Sequence, residues 1–279
     1  MKLATTRDNR IALIEDGVVW PLHLEGTPEM GALIARYGVS FADLDQAVRR
    51  AVSAQVAPGA VGLGPVVPRP GKIIGIGRNY GAHAKEGGLA AQERPRIFFK
   101  PGCSVSGHGD TVLRPPLVRK LDFEGELVAV IGTEISGASP SEAARAIFGY
   151  TIGNDLSARE FQFDVDPPQT SFAKGMTGFA AIGPMIVTAD VLGSAPDLDL
   201  RTLVNGVEMQ HARTSDLIFP IADCLSYVSQ YMDLHPGDLL FTGTPAGVGA
   251  FLRPPVFLQP GDIVRVEVER IGALETRIG

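Results

Sequence analysis

Short runs of apolar and β-branched residues, divided by Gly, Pro, Asn and Asp, recur along most of this 279-residue chain. That spacing predicts strands and turns more than long helices. Near the N-terminus, Leu3 to Thr5, Ile11 to Ile14 and Val18 to Trp20 read as short strands, with Asp16-Gly17 as a hairpin turn. Helical periodicity follows near 28–37 and 41–54. Residues 57–70 hold too much Gly and Pro for either regular element and read as a linker. From residue 71 to 279 the pattern is again mainly strands. Val204-Asn205-Gly206-Val207 signals a type I′ hairpin. Pro236-Gly237-Asp238 and Pro260-Gly261-Asp262 each precede a strand, Leu239 to Thr242 and Ile263 to Val268. Ser139-Pro140-Ser141-Glu142 is a capping box with Pro at the first helical position. Ser215-Asp216 opens an amphipathic run to Met232. The expected organisation is a small N-terminal α+β domain (1–56), a linker (57–70) and a large domain (71–279). The class is mixed α+β, mainly β.

Composition narrows the function. The formal net charge of −6, with basic residues scattered, argues against nucleic acid or an anionic membrane surface as partner. No apolar run reaches the roughly 18 residues of a membrane span. The N-terminus lacks the apolar core of a signal peptide, so a cytoplasmic location is the expectation. Two cysteines, Cys103 and Cys224, imply no disulfide framework. Cys103 lies in a Gly-Cys-Ser loop, but no His-Asn partner pattern accompanies it as a nucleophile would need.

Candidate chemistry centres on Asp122-Phe123-Glu124-Gly125-Glu126, which opens an apolar, β-branched run. In a strand, Glu124 and Glu126 project to one face, with Asp122 behind them. Two like charges entering a core need neutralising, and a hard cation such as Mg²⁺ does that with oxygen ligands. The bland reading is a solvated strand edge. Phe148 to Asp155 reads as a further strand ending in a third carboxylate, followed by a short helix over 156–162. Asp155 on its own reads as the N-cap of that helix. His83 and Glu86 lie i, i+3 on a short helix, so a carboxylate can orient an imidazole for general-base work. Lys174 can donate to an oxyanion. The glycine-rich turn Phe241 to Gly249 lacks the Lys of a phosphate loop, yet its N–H groups can hold a carboxylate. Gly75-Ile76-Gly77 is no dinucleotide fingerprint, because Tyr80 stands where the third Gly belongs.

Taken in order, these segments resemble the fumarylacetoacetate hydrolase family, in its acylpyruvate hydrolase-like and 2-hydroxyhepta-2,4-diene-1,7-dioate isomerase-like bacterial branch. The resemblance runs from about residue 71 to 268. It rests on Gly77-Arg78-Asn79-Tyr80 with His83, Phe98-Phe99-Lys100-Pro101, Asp-Phe-Glu-Gly-Glu, Gly149 to Arg159, Lys174, Val204-Asn205-Gly206, Thr214 to Phe219, Pro236-Gly237-Asp238 and Thr242 to Gly249. It implies a β-sandwich roll behind a smaller N-terminal domain, usually as a homodimer. It implies one Mg²⁺ or Mn²⁺ per subunit on Glu124, Glu126 and Asp155, a catalytic dyad of His83 and Glu86 on a lid, and Lys174 as the active-site lysine. Arg78, Tyr80, Lys100, Arg159, Gln162 and Thr244 are the residues expected to contact substrate.

Two departures bear on the substrate. Met176-Thr177-Gly178-Phe179 replaces the Phe-Asp-Thr-Phe-like segment of many bacterial members, removing a carboxylate. Arg78 stands where many members have an apolar residue, and either grips a substrate carboxylate or pairs with an acidic side chain. The segment Phe163 to Thr170 is expected beside the pocket. The implied activity is metal-dependent hydrolysis of a C–C bond in a 1,3-diketo, acylpyruvate- or fumarylpyruvate-like substrate. The alternatives are a decarboxylase, hydratase or tautomerase of a 2-oxo acid, and a non-catalytic metabolite-binding protein.

Overall fold

The computed structural model describes residues 1–53, 61–88 and 92–279. Two sheets and a few helices make up the fold. The larger, ten-stranded sheet runs in the order Val18–Pro21, Ile11–Glu15, Lys2–Thr5, Ala180–Thr188, Ile147–Asp155, Gly125–Ile131, Leu239–Phe241, Ile73–Gly77 and Arg96–Lys100. Val105–Ser106 pairs with Ala180–Thr188 off this path. The second sheet orders Val207–Arg213, Asp199–Val204, Ile263–Val268, Gly272–Ile278 and Thr111–Val112.

The central strands lie between two cores. From Gly125–Ile131, Leu127, Ala129 and Ile131 join the core that includes Leu200, Val264, Val266 and Leu274 of the second sheet. Val128 and Val130 face the other way, into the core with Met30, Leu33, Ile34, Leu44 and Val48. Burial on both faces explains why this strand reads as one apolar run without alternation. Gly125 is required by the sheet contact, since a Cβ there would lie 2.0 Å from Thr202 Oγ1.

Turn and cap signals are met locally. Asp16 and Gly17 have φ of 50° and 76°, and Asn205 and Gly206 have 51° and 83°, as type I′ turns require. Glu142 closes the capping box, accepting from the Ser139 N–H at 2.8 Å. The helices Met30–Tyr37 and Phe41–Ser53 stand where the periodicity placed them.

Residues 1–53 share the large sheet: Lys2 and Leu3 pair with Val187 and Ile186. Positions 57–60 of the expected linker lie outside the described residues. Residues 61–70 are laid along the first strand, with Gly64 N–H donating to Thr5 O at 2.9 Å and Val66 and Val67 buried.

Two local expectations are corrected. The stretch after Asp155 is not helical at once: Ser157–Ala158 pairs antiparallel with Leu121–Asp122, and the helix is only Glu160–Phe163. The run from Ser215 to Met232 is split, because Pro220 separates the turn Thr214–Asp216 from the helix Ile221–Ser229.

Candidate active site

The pairing of two strands assembles the acidic centre. Gly153 lies opposite Glu126 and Asn154 opposite Gly125. The Asp155 N–H donates to Glu124 O at 2.8 Å, and Asn154 Oδ1 accepts from the Glu124 N–H at 3.2 Å. Ligand oxygens of Glu124, Glu126 and Asp155 thereby lie within 4.8 Å of one another, and all three residues are buried. Asp155 therefore caps no helix, and the Glu-Gly-Glu pair is no solvated edge.

Buried cations surround the carboxylates. Lys174 Nζ donates to Glu124 Oε2 at 2.8 Å, to Asp155 Oδ2 at 2.7 Å and to Ser157 Oγ at 2.8 Å. Lys100 Nζ donates to Asp155 Oδ1 and to the Lys174 carbonyl. Arg159 Nη1 meets Glu124 Oε1 at 2.7 Å and donates to Gln162 Oε1 at 2.8 Å, and its Nε donates to Asp122 Oδ2 at 2.8 Å. The Arg159 Nη2 is buried and has no partner among the described residues. Asp122 also accepts from the Gly249 and Ala250 N–H groups at 2.8 and 2.9 Å, fixing the turn that carries Phe251.

The protonation states follow from this wiring. Burial pushes Glu124 up, but Lys174 and Arg159 outweigh it and bring its pKa to about 2. Glu126 lacks such a cation; burial, then Asp155 and Glu124, raise its pKa well above the ordinary value. Its Oε2 accepts from the Gly243 N–H at 2.7 Å. Burial pulls Lys174 down, yet Asp155 and Glu124 together hold it above the usual lysine value. For Lys100 burial prevails and the pKa falls.

A divalent cation fits this chemistry. The donor set is three carboxylate oxygens close together, and one member, Glu126, is poorly compensated by the protein. Hard cations take such oxygen sets.

The dyad faces the same space. His83 is buried on the helix Gly81–Glu86, with its Nδ1 3.7 Å from Glu86 Oε2. Glu86 is docked by the Gly247 N–H at 3.1 and 3.2 Å from its two oxygens. The His83 ring packs on Phe251 at 5.6 Å between centroids, and Phe251 stacks on Phe163 at 5.8 Å. A cavity of about 220 Å³ is lined by His83, Glu124, Lys174, Arg159, Gln162 and Arg78, and by Arg96, Phe98, Phe163, Thr170 and Phe251 among others. The expected nearness of the segment 163–170 is thus seen at Phe163, Pro168 and Thr170.

Other expected substrate contacts sit behind the wall. Tyr80 is buried with an unpartnered hydroxyl, and its backbone bridges Leu217. Thr244 Oγ1 donates to the Gly125 carbonyl at 3.0 Å and accepts from Gln210 Nε2 at 2.7 Å. Lys100 is held by Asp155. Arg96, Ser157 and Phe251 had no signal in the sequence; strand pairing and turn packing bring them in.

Comparison with known proteins identifies the family. The family profile described as fumarylacetoacetate (FAA) hydrolase C-terminal matches residues 72–279. The chain is 36% identical over 234 residues to a mitochondrial oxaloacetate tautomerase of Homo sapiens, covering 82% of this chain and 74% of the relative. The solved structure of 2-hydroxyhepta-2,4-diene-1,7-dioate isomerase from Mycobacterium marinum matches with a TM-score of 0.76 at 32% identity, over 100% of this chain and 98% of that one. Maleylpyruvate hydrolase from Sphingobium sp. SYK-6, solved with manganese(II) and pyruvate, matches with a TM-score of 0.81 at 28% identity and the same coverage. Hydrolase, isomerase and tautomerase thus share this architecture. With the profile spanning most of the chain and these relatives matching nearly all of it, the chain belongs to the fumarylacetoacetate hydrolase family.

Proposed function

We propose that this protein is a metal-dependent enzyme acting on a 2-oxo acid with a 1,3-dicarbonyl pattern, acylpyruvate- or fumarylpyruvate-like, and that it hydrolyses the C–C bond between the carbonyls. The observation that carries this reading is the meeting of His83, Glu124, Lys174 and Arg159 at one small cavity. Glu124, Glu126 and Asp155 would hold one Mg²⁺ or Mn²⁺, which when bound supplies Lewis-acid polarisation of the substrate oxygens. His83, oriented by Glu86, takes a proton from the water that attacks the distal carbonyl carbon. The Nη2 of Arg159, without a partner among the described residues, would donate to the oxyanion that develops, and Lys174, kept protonated by its carboxylates, adds its positive charge nearby. Phe251 and Phe163 cover the imidazole and limit access of bulk water.

A second reading is keto–enol tautomerisation, supported by the 36% identity to an oxaloacetate tautomerase. There the same imidazole moves a proton at carbon and no water attacks. A panel of acylpyruvates, fumarylpyruvate and oxaloacetate, with Mg²⁺ and with chelator, separates the two. His83→Ala is expected to lower C–C cleavage by roughly 10²–10⁴-fold, the scale of a positioned general base, while metal binding persists. Cleavage near the wild-type rate in that variant would remove His83 as the base that activates water, whereas wild-type protein that tautomerises oxaloacetate and cleaves none of the acylpyruvates would favour the second reading.

A further inference from the structure

Two arginines on the cavity wall have no partner among the described residues. Neither Arg78 nor Arg96 makes an ion pair or side-chain hydrogen bond among the described residues, and both are half-buried in the cavity lining. Other unpaired arginines, Arg94, Arg119, Arg145 and Arg253, are exposed, where water serves them. A half-buried guanidinium with nothing opposite is costly, and two facing one cavity are costlier. Burial, then Arg96, depresses the pKa of Arg78.

The backbone holds this pair in place. Arg78 has φ of 61°, the left-handed region unfavourable for a side chain with Cβ. Asn79 pins the distortion: its Nδ2 donates to the Phe219 and Thr242 carbonyls at 3.0 and 2.8 Å, and its Oδ1 accepts from the Phe219 N–H at 2.8 Å. Arg96 lies opposite Gly77 in the strand pair. A Cβ at Gly77 would touch the Arg96 Cδ at 3.5 Å, so the arginine stem rests on that glycine. The conformation at 78 and the pairing at 77 therefore bring both cations to one wall. Across the cavity, Glu124 is already matched by Lys174 and Arg159. No described residue supplies the missing counter-charge.

We infer that Arg78 and Arg96 form a clamp for the second carboxylate of the substrate, which makes this enzyme selective for 2-oxo dicarboxylates over 2-oxo monocarboxylates. The inference rests on the 2-oxo-acid reading above and specifies its substrate class. The 2-oxo carboxylate end lies toward Lys174 and the acidic triad, and the far carboxylate accepts from the two guanidinium forks. Both arginines act as positioning residues.

The test is calorimetric binding to the Mg²⁺-loaded protein, with 2-oxoglutarate and 2-oxopentanoate as a pair of equal chain length. Wild type is expected to favour 2-oxoglutarate by roughly tenfold or more, as charge-assisted bonds allow. Arg78→Met and Arg96→Met are each expected to cut that preference while leaving 2-oxopentanoate affinity unchanged, and Arg96→Lys to restore part of it. Thermal unfolding of the Met variants without ligand should show no loss of stability, since each removes an unpaired charge; a structural role would lower it. Equal binding of the two acids by wild type, or a preference that survives both Met variants, overturns the clamp and leaves the oxo-acid reading standing. If neither acid binds, both fall.

Discussion

Glu126 is the carboxylate that the protein balances least. Burial, Asp155 and Glu124 all push its pKa up, and Lys174 and then the Gly243 N–H offset them only in part. A group raised on folding adds stability that is full below its ordinary value of 4.5 and fades as pH rises through the folded value. The metal-free protein should therefore lose stability across that window, and metal should bind more tightly as pH rises, with release of a proton. Calorimetry in buffers of different ionisation enthalpy measures that proton. Glu126→Gln should abolish its release, flatten the stability profile and weaken Mg²⁺ affinity by about tenfold or more. Glu124 behaves oppositely: with its pKa brought to about 2, its contribution is present at neutral pH and goes only in strong acid. The sequence displayed both glutamates through their spacing. It did not display how differently the two titrate, since it is Glu124 that forms ion pairs with Lys174 and Arg159, which come from distant positions.

The helix Gly81–Glu86 is too short to be stable alone and depends on its anchors. Those are the packing of His83 on Phe251 and the docking of Glu86 on the Gly247 N–H. Glycine-rich composition predicts a mobile segment from Tyr80 to Ala91, of which 89–91 lie outside the described residues. Amide exchange over 81–88 is expected to outpace that of Gly125–Ile131 and to slow when a substrate analogue binds; slow, ligand-insensitive exchange would count against a lid. Phe251→Ala should speed exchange there by roughly two- to tenfold, the worth of one aromatic contact. Asp122 joins the same turn to Arg159 through four-way bonding. Asp122→Ala leaves the buried Arg159 Nε and the Gly249 and Ala250 N–H groups without their acceptor and should cost about 3 kcal/mol in chemical denaturation. The helix itself was legible from Gly81 to Glu86. Its anchors were not, because Phe251 and Gly247 stand more than 160 residues away.

At the scale of the molecule, the first 53 residues complete the large sheet. Lys2–Thr5 covers the edge of Ala180–Thr188, and Met30, Leu33, Ile34 and Leu44 cover Val128, Val130, Phe148 and Ile182. A chain trimmed to begin at Val61 bares that apolar face and an unpaired strand edge. It is expected to aggregate and to show no cooperative unfolding transition; a monomeric, sharply melting product would demonstrate an independent second domain. Hairpins, caps and strand starts were readable because Asn205-Gly206, Asp16-Gly17 and Ser139 to Glu142 act on near neighbours. The pairing of Lys2 with Val187 has no local signature, so composition alone made residues 1–56 look self-contained. Among the described residues, no helix is long and apolar enough to cross a membrane.

The register between Gly125–Ile131 and Ile147–Asp155 has a consequence for how this chain can diverge. Gly153 sits opposite Glu126, and the pairing shifts only at the far end, between Ile147 and Gly149. Losing one residue inside either strand would put the side chains on its two sides out of phase, so that one set must turn to the opposite core. Glu126 would then point away from Asp155 even where hydrophobic partners could be re-found. The connecting segment between Ile131 and Ile147, with its capped helix, holds an isolated bridge from Ile135 to Leu234 but none of the three acidic-centre residues. Length polymorphism among descendants should therefore gather in that connection, with strict length conservation on either side of it. A deletion scan would read this directly: single-residue losses at 134–138 keep metal binding, and single-residue losses at 127–130 abolish it.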